Sequence, residues 1–164
     1  MKGGKNPTVV DATAGLGGDA FLLASLGAAV TMIERSPDMH RLLEEGLANA
    51  RAAGGDIADV TRRMTLLYGD GRDLLPGLSP EVVLVDPMHP PRKKSALVKS
   101  EMRLIREIVG ENDDAVELMM VALATAGNRV VLKWPRRAEP MGGIGIPSHR
   151  ITGKTTRYDV FMVG

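Results

Sequence analysis

Cysteine is absent from the 164 residues. That absence removes disulfides, thiolate metal sites and any mechanism that attacks carbon through a thiol. A cytoplasmic location is therefore expected. No apolar run is long enough to cross a bilayer, and no signal-peptide pattern opens the chain. His40, His89 and His149 show no metal-ligand spacing among themselves or with acids, so no metal is expected. Net charge is nearly absent too: 21 Lys and Arg face 20 Asp and Glu, leaving +1. A partner cannot be argued from that total. What is present is the balance of a globular protein, 44% hydrophobic and 25% charged. The length suits a single domain, 1–164, with one sizeable core.

Charge is unevenly distributed. Residues 90–110 carry six Lys or Arg against two Glu, and residues 129–157 carry seven against one. Such runs are more often solvated faces than binding sites, so their meaning depends on what lies beside them. The pattern of apolar residues predicts strands at 8–13, 29–35, 64–70, 81–87 and 128–135. Helices are predicted at 20–27, 37–53, 94–110 and 113–126. Ser36 can cap the 37–53 helix, and Pro37 suits its first turn. HRITGK and TTRYDVFMV read as two closely joined strands. Alternating strands and helices imply an α/β fold with a parallel sheet, and the terminal pair implies an antiparallel edge.

In VVDATAGLGGDAF the first strand opens into Gly15, Gly17 and Gly18, and then into a helix. Glycines there allow tight turning and close approach of a ligand to helix N–H groups. Glu34 ends the second strand, where a carboxylate can accept both hydroxyls of a ribose. GLGGDA fits the loose dinucleotide pattern G-x-G-x-x-A, so an NAD-type oxidoreductase is one reading. Asp11 and Thr13 oppose it, because an acid at that strand end suits an amino or cationic group better than a pyrophosphate. S-adenosylmethionine (SAM) carries such a group and no phosphate. Asp70, closing the third strand in YGDGRD, is then placed for the adenine amino group, with Gly71 leaving room beside the ring.

The fourth strand runs into VLVDPMHPPRKKSA. Its D-P-M-H-P resembles the D-P-P-Y type loop of amino-group methyltransferases. An exocyclic amine is a poor nucleophile because its lone pair is delocalised into the ring. Asp86 and the Pro87 carbonyl can accept its N–H groups and orient that lone pair, and proline pre-places the turn. His89 can stack on a base or take a proton, or simply make a structural hydrogen bond. Arg92, Lys93 and Lys94 follow at once, and Lys99, Arg103 and Arg106 recur at helical spacing. Beside a base-handling loop these cations can hold phosphates. Trp134 is read as packing or cleft lining, and RRAEPMGGIGIP (136–147) has the composition of a mobile loop.

DATAGLGGDAF, MIERSP, LVDPMHP and KSALVKSEMR together resemble the bacterial 16S ribosomal RNA guanine-N2 methyltransferase J family, from about Lys2 to the C-terminus. The resemblance implies a Rossmann-like class I SAM-dependent methyltransferase. Its sheet would have seven strands, mostly parallel, with an antiparallel C-terminal edge hairpin. The implied reaction is methyl transfer to N2 of a guanosine in 16S rRNA of the small ribosomal subunit. Family cofactor contacts fall on Gly18, Asp19, Glu34, Arg35, Asp70, Gly71 and Asp86; Asp19 and Arg35 come from the resemblance alone. Family members often carry Arg at the Gly18 position, and have a further region ahead of the first strand that this chain is expected to lack. Rival readings are an amino-group methyltransferase acting on DNA adenine or a protein amide, the NAD-dependent oxidoreductase, and an RNA-binding domain without turnover.

Overall fold

The computed structural model describes residues 6–87 and 112–164. Along the chain come β1 (Thr8–Asp11), α1 (Gly18–Ser25), β2 (Ala29–Glu34), α2 (Pro37–Ala53), α3 (Gly55–Thr61), β3 (Met64–Tyr68) and α4 (Gly71–Leu74). A 3₁₀ turn at Leu75–Gly77 leads to β4 (Val82–Val85). Then follow α5 (Asn112–Thr125), β5 (Arg129–Pro135), β6 (His149–Thr152) and β7 (Thr156–Met162). The helix expected at 94–110 lies outside the described residues.

The strands form one sheet in the order β3-β2-β1-β4-β5-β7-β6. β1 to β5 are parallel, and β7 runs antiparallel to both β5 and β6. The expected seven-stranded sheet with its antiparallel terminal pair is therefore present. Alternate residues of the inner strands feed opposite layers, as the two-residue period of a strand requires. Val9, Val30 and Met32 pack with Leu43 and Leu47 of α2 on one face. Val10, Ile33 and Val83 pack with Leu118 and Met119 of α5 on the other. Strands covered on both sides read as continuous apolar runs, which is why AVTMIE and VVLV carry no polar alternation.

Helix α2 starts where its sequence says it should. Ser36 accepts the Met39 N–H at 3.4 Å, and Pro37 occupies the first turn. Two short helices, α3 and α4, have no counterpart among the expected elements. The 136–147 segment also departs from its composition, because its first half is anchored. Trp134 Nε1 donates to the Glu139 carbonyl at 2.8 Å, and Met141 is buried in the core. Arg157, 6% exposed, donates to the carbonyls of Arg136 and Ala138 at 3.0 and 2.8 Å. Trp134 thus works as a loop anchor at the margin of the core.

This topology fixes where a ligand can bind. β1 pairs with β2 on one side and β4 on the other, so the chain reverses its direction of winding there. In open α/β sheets the crevice beyond the carboxyl ends of the strands at such a switch point is the binding site.

Candidate active site

The loop that leaves β1 is held to both neighbouring strands. Ala12 N–H donates to the Leu84 carbonyl at 2.9 Å, and Ala14 N–H to the Ile33 carbonyl at 3.1 Å. Gly15 and Gly17 adopt positive φ of 55° and 80°, which L side chains reach only with strain. A Cβ on Gly17 would also lie 3.0 Å from Leu43 Cδ2. Gly18, at the start of α1, has no atom within 4 Å of its would-be Cβ. A larger side chain is sterically admissible there.

Glu34, 9% exposed, closes β2. Its Oε2 accepts the Gly15 N–H at 3.0 Å and its Oε1 accepts the Ser36 N–H at 3.0 Å. These bonds orient the carboxylate and tie the glycine loop to β2. Each oxygen keeps acceptor capacity for a hydroxyl, since a carboxylate offers about four lone-pair sites.

At the switch point three carboxylates and one ammonium gather among the described residues. Asp11 is 2% exposed, and its Oδ1 accepts the Thr13 N–H at 3.1 Å. The Thr13 hydroxyl oxygen accepts the Asp86 N–H at 2.7 Å, which fixes the backbone of the Asp86–Pro87 turn against β1. Lys133, near the end of β5, places Nζ 3.1 Å from Asp19 Oδ2 and 3.7 Å from Asp86 Oδ2. Burial pushes the Asp11 carboxyl up to about 6, and the charges of Asp19 and Asp86 push the same way against the pull of the Thr13 N–H. Burial alone would lower the Lys133 ammonium. The hydrogen bond to Asp19 and the charges of Asp86 and Asp19 outweigh it and hold the ammonium above its ordinary value.

A third group lines the ends of β2 and β3. Asp70 caps α4 by accepting the Arg72 N–H at 2.9 Å, and its oxygens also accept from Arg72 Nε and a terminal guanidinium nitrogen at 3.1 and 2.8 Å. Those bonds, with Arg35 3.8 Å away, hold the Asp70 carboxyl below its ordinary range. Arg72 continues to Asp114 and Glu117 of α5 at 3.2 and 2.6 Å, and Arg35 reaches Asp114 at 3.2 Å. Gly71 is buried against Leu118 and the Ala12 carbonyl, where a Cβ would approach to 2.8 and 3.4 Å. Asp70 and Gly71 thus have structural work in α4 packing, independent of any ligand.

Among the sequence-derived residues, the fold brings Asp11, Asp19 and Asp86 into one cluster, Gly15 and Glu34 into contact, and Arg35 and Asp70 into an ion pair. Pro87 follows Asp86 directly. His89, Arg92, Lys93, Lys94, Lys99 and Arg103 lie outside the described residues. Sequence reasoning passed over Lys133, Arg72 and Asp114, and took Thr13 only as a polar end to the first strand. The one signal for Lys133 was a charge interrupting the apolar run RVVLKWP at the carboxyl end of a central strand.

The donor set fits SAM. Among the described residues, three carboxylates stand against one ammonium, a balance that favours a ligand with amino and sulfonium groups. A pyrophosphate would meet Asp19 in the first turn of α1, with Asp11 and Asp86 behind it. This opposes the dinucleotide reading of the glycine loop.

Comparison with known proteins agrees. A family model described as "Putative SAM-dependent methyltransferase" matches residues 1–163. Proteins named Ribosomal RNA small subunit methyltransferase J are 66% identical over 160 residues in Agrobacterium fabrum and 69% over 156 in Brucella anthropi. These matches cover 98% and 95% of this chain, and 77% and 76% of those proteins. The crystal structure of a SAM-dependent methyltransferase from Neisseria gonorrhoeae superposes with a TM-score of 0.77 at 38% identity. That match covers 95% of this chain and 65% of that one. On its sheet, its crevice and these matches, the chain belongs to the ribosomal RNA small subunit methyltransferase J family of SAM-dependent methyltransferases.

Proposed function

We propose that the protein transfers a methyl group from SAM to the exocyclic N2 of a guanosine in 16S rRNA of the small ribosomal subunit, in the cytoplasm. The observation that carries this reading is the Asp86–Pro87 turn. It sits at the switch point of the sheet, and its backbone is fixed by the 2.7 Å bond from Asp86 N–H to Thr13. The names of the relatives support the choice of RNA.

Bound SAM supplies a methyl group on a positively charged sulfur. Glu34 is the residue to hold the ribose hydroxyls, and the backbone from Gly15 to Gly18 gives the cofactor close access to the start of α1. Asp11 and Asp19 face its cationic end, while Arg35, Asp70 and Gly71 border the adenine end. Asp86 and the Pro87 carbonyl accept the N–H groups of the guanine N2. With both N–H groups held, the lone pair of N2 points along the remaining direction. As the new N–C bond forms, N2 gives up one proton, and the Asp86 carboxylate is placed to receive it. Catalysis of this kind is chiefly positioning, worth several kcal/mol when a reacting pair is pre-aligned. Arg92, Lys93, Lys94, Lys99 and Arg103 supply the phosphate contacts in this reading.

The test is transfer of labelled methyl from SAM to small subunits from cells that lack the modification, with mass spectrometry of the product nucleosides. N2-methylguanosine is expected from the wild type and not from Asp86→Ala. A different methylated nucleoside would replace the proposed acceptor. Full activity in Asp86→Ala would remove the turn from the mechanism.

A further inference from the structure

Lys133 has no part in the reading above, yet it stands where four elements meet. It extends from β5 to Asp19 on α1 and to Asp86 beyond β4. Asp11 at the end of β1 completes the acidic group, and Tyr158 of β7 lies opposite Lys133 in the strand register. Lys133, Asp19 and Asp86 are each partly exposed, with side-chain accessibilities of 27%, 33% and 39%. Asp86 is therefore accessible to a substrate amine.

We propose that Lys133 is a positioning residue for methyl transfer, whose ammonium holds the Asp86 carboxylate charged and oriented by bridging it to Asp19. This rests on the proposed role of Asp86. In that step the N2–C bond forms, the C–S bond breaks and N2 loses one proton; Lys133 forms and breaks no bond. Its contribution is electrostatic and geometric. Asp86 shares the crevice with Asp11 and Asp19, and each of those charges favours the protonated form of Asp86. A protonated Asp86 keeps one acceptor oxygen but loses its capacity to take the proton from N2. The Lys133 ammonium opposes that protonation, and its second contact, at Asp19, gives it a fixed position from which to do so.

The same geometry predicts opposite effects on binding and turnover. SAM brings positive charge into a crevice where Lys133 already neutralises one carboxylate. Removing Lys133 leaves that charge better compensated by the acids, so SAM binding should hold or tighten while transfer slows. A purely structural residue would not divide KM from kcat in this way.

The experiment compares wild type, Lys133→Met and Lys133→Arg in two measurements. The first is a carbon NMR titration of the aspartate carboxyl groups in the protein without substrate. In Lys133→Met the Asp86 midpoint should rise by about one pH unit, and in Lys133→Arg it should stay near wild type. The second is the pH profile of methyl transfer to small subunits. For Lys133→Met, the acid limb should move upward by the same unit, so that kcat falls up to about tenfold on that limb, with a smaller pH-independent loss at neutral pH from the lost orientation of Asp86, and KM for SAM unchanged or lower. Arginine should restore most of the rate. An unmoved Asp86 midpoint overturns the assignment whatever the substrate is. So does a Lys133→Met enzyme with wild-type kcat and pH profile. A wild-type protein that methylates no small subunit, with the midpoint change present, overturns the proposed substrate and leaves the pinning of Asp86 standing.

Discussion

Asp11 sits almost fully buried at the end of β1, and its carboxyl titrates at about 6 instead of 3.8. A raised carboxyl favours the protonated form in the folded state. The stability it contributes is therefore complete below about pH 4 and is lost as pH rises through about 6. At pH 7.5 the fold carries an ionised, buried acid at its own expense, a cost that the proposed cofactor contact of Asp11 would explain. Asp11→Asn is expected to raise the melting temperature at pH 7.5. The gain in stability should reach up to about 3 kcal/mol, the linkage energy of a carboxyl raised from 3.8 to about 6. It should shrink toward zero as pH falls to 4, and SAM affinity should drop in calorimetry. A variant no more stable than wild type at pH 7.5 would refute the buried-charge account. Asp11 and Glu34 were legible in the sequence because an acid closing an apolar strand is costly to bury without purpose. Lys133 was not, and Thr13 was legible only as a polar strand end, since their partners lie 114 and 73 residues away.

The long elements were legible because periodicity and caps agreed. α2 ends where expected on both sides, with Ser36 and Pro37 marking its start. α3 has no counterpart in the sequence reading, which passes from the helix ending at Ala53 to the strand at 64; Gly54 and Gly55 both adopt positive φ and turn the chain into a second helix too short for a clear periodic signal. α4 was missed for the same reason: its four residues are too few for a periodic signal, and it is held by the Asp70 cap and the Arg72 ion pairs. The 136–147 segment misled by composition, since glycine and proline content does not disclose a buried arginine strapping it from β7. Arg157 Nε also bonds Asp159 Oδ1 at 3.0 Å, and Asp159 is 2% exposed. Arg157→Met should then cost roughly 3–5 kcal/mol by leaving a buried carboxylate poorly paired and freeing two loop carbonyls. Chemical denaturation would show it, and faster amide exchange at 136–141 would localise it. The glycine loop should also resist substitution, at a smaller cost: Gly17→Ala combines a φ of 80° with a 3.0 Å contact to Leu43. A loss of about 1–2 kcal/mol is expected there, with weaker SAM binding, whereas Gly18→Ala should be neutral in both.

For the whole molecule, the parallel sheet and its antiparallel edge follow from the order of strands and helices in the sequence. The strand order itself was not read from the sequence, since no spacing rule places β4 beside β1. Charge behaves differently at this scale, because folding consumes much of it. The run at 129–157 looked as basic as the run at 90–110, yet Lys133 is paired with Asp19, Arg157 is buried on Asp159, and Arg150 lies 3.2 Å from the same carboxylate. Arg136, Arg137 and Lys154 remain exposed, with a guanidinium nitrogen of Arg136 on the Lys154 carbonyl. With a net charge of only +1, attraction to RNA must come from local clusters. The sequence at 92–94 supplies three adjacent cations shortly after the Asp86–Pro87 turn. Replacing Arg92, Lys93 and Lys94 with alanine should raise KM for small subunits about tenfold or more and flatten its dependence on salt, because fewer counterions are released on binding. The affinity for SAM should not change. Arg150→Ala should leave both nearly untouched, since that charge already answers Asp159. If Arg150→Ala proves as damaging as the triple variant while the melting temperature holds, the RNA runs across the β6 edge, and phosphate contact belongs to the terminal strands.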